Sequence, residues 1–155
     1  MISDSSCIIL LSRTNSLGLL KKLYPKITVP SAVKNEVLIE EKQGFIAIQE
    51  AIDKKWIRVK DPKQIRDFGL GDGESACLSL ALELKDTIIL DDAYAIKVAN
   101  TVSIEYIRTT SLLFMALQKK IITKKQAISL LNRLIESGYY LAPEHYAAIL
   151  AKLSE

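Results

Sequence analysis

Acidic side chains stand at four stations along the chain, three of them beside a switch from strand-like to helix-like sequence. They are Asp4 in Ser3-Asp4-Ser5-Ser6, Glu36 in Val33-Lys34-Asn35-Glu36-Val37, Asp72 and Glu74 in Gly71-Asp72-Gly73-Glu74, and Asp91-Asp92 directly after Ile88-Ile89-Leu90. Carboxylates gathered in one crevice repel one another and call for a counter-ion. Mg2+ or Mn2+ suits them, because hard divalent cations take oxygen ligands and keep waters that substrate phosphate oxygens replace. Such a centre aligns and deprotonates a water and stabilises the leaving oxygen of a phosphodiester. In an open parallel sheet the crevice beyond the carboxyl ends of the strands is where ligands bind, so acids at strand ends are placed for that chemistry. Each acid also has an ordinary structural reading. Asp4, Asp72 and Asp91 or Asp92 stand at helix starts, where a carboxylate caps free N–H groups and meets the positive end of the helix dipole. Glu36, taken alone, reads as a solvated helix residue. Two features favour chemistry: the acid is doubled after a buried strand, and Asp72 and Glu74 alternate with glycines.

The elements that must position these acids are short. Residues 2–4 read as a strand, and Asp4 with Ser5 and Ser6 gives N-cap signals for a helix through the apolar run 7–11. Residues 16–24 have a helical period stopped by Pro25. The β-branched triplet 27–29 is closed by Pro30, which suits the first turn of a helix through Ala32, Val33 and Val37 that carries Glu36. A helical stripe over 45–55 precedes a short strand at 57–59; residues 61–70 are polar and irregular, the one long loop. Small residues over 75–84 predict a helix that packs closely on a sheet, and the run 87–90 predicts a central strand buried on both faces. Asp92 opens another helix, 102–107 reads as a strand, and 111–119 as a helix. From about residue 123 the chain is helical: Thr123-Lys124-Lys125-Gln126 matches a capping box, Gly138 closes that helix, and Pro143 opens the last. This alternation predicts an α/β fold of three layers, α/β/α, around a parallel sheet.

Composition narrows the function classes. With 155 residues, 49% hydrophobic and 25% charged, the chain suits one domain spanning 1–155. A net charge of +3 permits a polyanionic partner without demanding one. The pairs Lys21-Lys22, Lys54-Lys55, Lys119-Lys120 and Lys124-Lys125 read singly as solvated helix faces and together as cations that steer phosphate. Cys7 and Cys77 read as core thiols, and with no Cys-x-x-Cys and only His145, a zinc site and a Ser/His/Asp triad both lack support. The glycines of 69–73 lack the Lys-Ser/Thr of a phosphate-binding loop. Trp56, Tyr139 and Tyr140 offer faces for stacking on bases but read first as packing residues. No signal peptide and no apolar run of about 18 residues is present, so a soluble cytoplasmic protein without a membrane segment is expected.

Asp4-Ser5-Ser6 after the first strand, Pro30-x-x-Val33-x-x-Glu36-Val37, Leu70-Gly71-Asp72-Gly73-Glu74-Ser75-Ala76 and Ile88-Ile89-Leu90-Asp91-Asp92-x-x-Ala95 resemble, in order and over nearly the whole chain, the PIN domain superfamily. They are most similar to a prokaryotic, VapC-like branch. The resemblance implies a Mg2+- or Mn2+-dependent ribonuclease, frequently the toxin of a toxin–antitoxin pair, so the implied partners are RNA and an antitoxin protein. It places the four acids on Asp4, Glu36, Glu74 and Asp91 or Asp92, with Ser6 at a polar position that often supports the first, and leaves Asp72 as a cap. A pair of protomers is common in the superfamily, and residues 16–24 are apolar enough to contribute to such a homodimer. The chain departs from the branch at Ile96-Lys97, where an arginine is usual, and near Thr109-Thr110, where a glycine is usual. The alternative is a PIN module that binds RNA or a protein partner without cutting.

Overall fold

Ile88 and Ile89 are consecutive β-branched residues, and both are wholly buried. Adjacent strand residues point to opposite faces, so this strand is covered from both sides, as a parallel sheet requires. The computed structural model describes residues 1–155 and contains five strands, β1 (Ile2–Ser3), β2 (Ile27–Val29), β3 (Ile57–Val59), β4 (Ile88–Ile89) and β5 (Tyr106–Ile107). All pair in parallel, in the order β3-β2-β1-β4-β5. Nine helices make up the outer layers of an α/β/α arrangement: α1 (Ser5–Arg13), α2 (Leu17–Leu23), α3 (Ser31–Val37), α4 (Phe45–Asp53), α5 (Asp72–Leu84), α6 (Ala93–Thr101), α7 (Thr109–Gln118), α8 (Lys124–Glu136) and α9 (Pro143–Ser154).

The strand order places the site. From β1 the chain steps outward to β2 and β3, then crosses back to β4 and continues outward the other way to β5. Connections leaving the neighbouring strands β1 and β4 therefore diverge, and this reversal opens a crevice at their carboxyl ends. Ile2 and Ser3 lie in register with Ile88 and Ile89. Asp4 follows Ser3 directly, and Asp91 and Asp92 follow Ile89 after one intervening residue, the buried Leu90.

The structure moves several boundaries. The middle strand is β1, with β4 beside it and paired on both sides. Asp4 lies outside β1 as the N-cap of α1. Residues 102–105 are not strand: Val102 caps the end of α6, Ser103 has φ +58°, and the Ile104 N–H bonds to the Ala99 carbonyl at 2.8 Å. Their apolar character reflects packing of Ile104 in the core. The leucines of α2, Leu17, Leu19, Leu20 and Leu23, are buried within this chain, so the apolar character of 16–24 is spent internally and leaves Lys21 and Lys22 outward.

Side chains from distant loops fix the helices that carry acids. Pro30, the N-cap of α3, offers no side-chain acceptor, and Asp61 supplies one from the loop after β3. Its carboxylate accepts from the Ser31 N–H at 2.8 Å and the Ser31 hydroxyl at 2.6 Å, bonds that hold the Asp61 carboxyl below its usual range. The same loop is pinned along α5, where Glu83 accepts from the Lys63 N–H at 2.7 Å and Ser79 from the Arg66 N–H at 2.9 Å. At the start of α8 the capping box of Thr123 and Gln126 is complete.

Leu130, Leu131 and Leu134 of α8 and Leu153 of α9 belong to the same buried cluster as the strand residues Ile2, Ile27 and Ile88. Leu131 is wholly buried, and a Leu→Ala change at such a position removes about 2–5 kcal/mol. Leu131→Ala should lower the unfolding free energy by that amount in one cooperative denaturant transition. An unchanged midpoint, or separate melting of the C-terminal helices α8 and α9, would contradict this packing.

Candidate functional site

Asp4 and Asp92 bear out their capping reading, each capping a helix at the crevice. Asp4 Oδ1 accepts from the Cys7 N–H at 3.3 Å, and Asp92 Oδ1 accepts from the Ala95 N–H at 2.8 Å. Asp4 is only 3% exposed, whereas Asp92 is open to solvent. Asp91 does not cap the helix that follows it. Its carboxylate crosses to α7, where Oδ1 accepts from the Thr109 N–H at 3.0 Å and Oδ2 from the Thr109 hydroxyl at 2.5 Å. The Tyr139 hydroxyl donates to the same Oδ1 at 3.0 Å. A carboxylate has about four acceptor positions, so Asp91 is fixed in orientation with little capacity left.

Glu36 stands in the last turn of α3, exposed, and Glu74 in the first turn of α5, half buried. The two helices approach closely at Gly73: a Cβ there would overlap the Glu36 carboxylate. Only glycine lets Glu36 lie across the start of α5 next to Glu74. Asp72 is not a cap. The N-cap of α5 is Gly71, with extended backbone, so the helix begins one residue earlier than a cap at 72 would require and leaves Asp72 exposed in its first turn. Ser6 is exposed on α1 and makes no bond to Asp4; the group that meets Asp4 from this helix is the Cys7 N–H.

These five acids, Asp4, Glu36, Glu74, Asp91 and Asp92, come from four separate segments and act on one another. Burial pushes the Asp4 carboxyl up to about 8, helped next by the charge of Asp91 and then by Glu74 and Glu36, against the Cys7 N–H. Partial burial raises Glu74, followed by the charges of Asp92 and Glu36. Burial drives the Cys77 thiol well above its ordinary value, with Asp4, Glu36 and Glu74 adding to the shift. Cys7 is raised by burial too, so both thiols are inert core groups.

No three of the acids close around a common point as the ligands of one ion would. By chemistry the set nevertheless fits a hard divalent cation: all donors are carboxylate oxygens, burial and then the neighbouring charges raise Asp4 and Glu74, and the cradle at Gly73 holds Glu36 beside the start of α5.

Glu74, Asp91, Asp92 and Ser6 line a cleft of about 570 Å3 together with Arg108, Tyr139, Tyr140 and His145. A cleft of similar size, about 590 Å3, lies at the opposite, amino end of the sheet around Met1, Thr87 and Glu105 and contains no cluster of acids. Sequence reasoning passed over Arg108 and the hydroxyl of Tyr139. Arg108 had a signal, being the basic residue directly after a strand. Tyr139 had none, since its contact with Asp91 spans 48 residues. The departure at Ile96 has a structural reason: this side chain is 6% exposed and packs in the core, while Arg108 supplies a cation to the cleft. Lys119 and Lys120 stand at the far end of α7, about 15 Å from its start by helix rise, away from the acids.

The sequence model of a family described as a PIN domain matches residues 1–155. No curated protein matches the chain.

In the folded chain Asp4 holds its proton between the ordinary value of 3.8 and about 8, a range in which the unfolded chain has lost it. Stability falls with rising pH wherever the folded state binds more protons, by about 1.4 kcal/mol for each tenfold difference in proton affinity between the two states. In excess chelator the melting temperature should therefore decline from pH 5 to pH 9. Asp4→Asn should flatten that decline, and Mn2+ should restore more stability at pH 8.5 than at pH 6. A chelated wild-type protein that gains stability towards pH 9 would contradict the buried, crowded state of Asp4.

Proposed function

The chain belongs to the PIN-domain family, whose members are generally nucleases acting on nucleic acids, and on that footing we propose that it is a Mg2+- or Mn2+-dependent endoribonuclease. The observation that carries this reading is the burial of Asp4 just past β1, where the strand order reverses, with Asp91 and Asp92 following the neighbouring strand and the Glu36 carboxylate lying against the start of the helix that bears Glu74. Those five residues would hold the ion. When bound, it supplies a polarised water and neutralises charge developing on the phosphodiester.

The chain's own residues divide the remaining work. Thr109 and Tyr139 keep Asp91 oriented towards the crevice. Asp92 caps α6 through Oδ1 and leaves Oδ2 free. Asp4 would have to be ionised to serve as a ligand, because metal ligands must be deprotonated. Arg108 offers the cleft a cation for a substrate phosphate. The narrower role, a toxin whose partner is an antitoxin protein, follows from the resemblance alone. A module that binds RNA without cutting is the second reading, favoured by the fact that no three acids close around one point.

Purified protein incubated with single-stranded RNA and Mn2+ should cut it, and excess EDTA should stop the reaction. Asp4→Asn, which keeps the shape and much of the capping ability, should cut no faster than the chelated protein. Gly73→Ala should displace the Glu36 carboxylate and slow cleavage by about 10- to 100-fold, the usual effect of losing support for a ligand. Its melting temperature should hold or rise, since Ala is the better helix former by up to about 1 kcal/mol. Binding of RNA with no cleavage in either metal would favour the second reading.

A further inference from the structure

Tyr140 is 88% exposed, the most open of the large apolar side chains, yet its neighbour Tyr139 is 7% exposed with its hydroxyl on Asp91. The two follow Gly138, whose φ of +106° turns the chain at the end of α8. The backbone under Tyr140 is thereby latched to one of the acids, and the ring projects into solvent from a fixed base at the cleft. A single exposed ring is ordinary on a protein surface; this one differs in standing on a backbone fixed at the rim of the cleft that holds the acids. The charge around it is equally specific. Arg108 lines the same cleft and takes part in neither of the molecule's ion pairs, although Glu74, Asp91 and Asp92 line that cleft too.

An open aromatic face, an unpaired guanidinium and a group of acids side by side match the parts of a nucleotide. The ring takes the base, because every base has a π face and stacks without sequence preference. The guanidinium takes a phosphate oxygen pair, and the neighbouring phosphodiester falls to the acids. A base within a duplex is already stacked on both sides and cannot reach a protruding ring, whereas an unpaired base can. We propose that Tyr140 and Arg108 form a nucleotide-binding subsite beside the acids that selects single-stranded RNA with an unstacked base next to the bond to be cut. The identity of the polymer rests on the nuclease reading; the subsite itself does not need cleavage to be tested.

The test is fluorescence anisotropy of a labelled ten-nucleotide RNA, in excess EDTA, against the wild-type chain and its Tyr140→Ala, Tyr140→Phe and Arg108→Ala variants. The same strand is used single, annealed to its complement, and with abasic residues throughout. The single strand should bind more tightly than the duplex. Tyr140→Ala should weaken it by about 5- to 150-fold, the range for one stacked base, and Tyr140→Phe should bind like wild type. The abasic strand should be indifferent to Tyr140 but should still lose affinity and salt dependence with Arg108→Ala. Equal affinity of Tyr140→Ala and wild type, or an equal loss on the abasic strand, would overturn the subsite. Cleavage with Mn2+ that is independent of Tyr140 defeats the subsite and leaves the nuclease standing. Tyr140-dependent binding without cleavage in any metal defeats the nuclease and leaves the subsite.

Discussion

The burial of a carboxyl group, Asp4, beside other carboxylates at one edge of the sheet is the constraint on which the rest of the structure turns. Ile2 and Ser3 lie in register with Ile88 and Ile89, so Asp4, just past the end of β1, and Asp91, two residues past the end of β4, leave neighbouring strands at the same edge of the sheet. Strand order reverses between them, and the diverging connections leave the crevice that the acids line. Asp4 is nine-tenths or more withdrawn from water, and burial with the charge of Asp91 pushes its carboxyl up to about 8. The bond from the Cys7 N–H offsets part of that penalty. Capping and ligation are therefore not rival explanations of Asp4. One oxygen serves the helix, and the net negative charge that the fold concentrates there is what a cation would relieve.

The second dependency runs through Asp91. Thr109, itself buried, binds both of its oxygens at the start of α7, and Tyr139 binds one of them from the turn after α8. Burial and the Asp91 charge hold the Tyr139 phenol far above its ordinary value, so it remains a donor throughout the accessible pH range. Through these bonds the C-terminal helices are joined to the site in addition to sharing its core. Gly73 plays the corresponding part on the other side, admitting Glu36 against the start of α5. Neither Thr109, Tyr139 nor Gly73 carries charge, yet each sets where a charge stands.

Much of this was legible in the sequence, for physical reasons that differ by element. The consecutive β-branched residues 88–89, with the acid pair soon after them, identified a doubly covered strand of a parallel sheet and its carboxyl edge, and the triplet 27–29 closed by Pro30 identified a second strand. Local signals such as the Thr123 capping box and Pro143 fixed helix starts because their bonds are made within one turn. Apolar runs misled where packing rather than pairing explained them: residues 102–105 hold Ile104 in the core without forming a strand, and the leucines of α2 face inward. Asp72 was misread as a cap because Gly71, with extended backbone, takes that position without a side chain. The Asp61–Ser31 and Tyr139–Asp91 bonds join residues 30 and 48 positions apart, and no local pattern encodes such contacts.

A cation shared by these acids, as proposed, would displace the proton of Asp4. Calorimetric titration with Mn2+ at pH 7, repeated in buffers of different ionisation enthalpy, measures the protons released on binding. The account predicts release of about one proton per bound ion at pH 7, vanishing above pH 9 where Asp4 is already ionised, and absent in Asp4→Asn. No Mn2+ binding, or binding whose heat is the same in every buffer at pH 7, would contradict it.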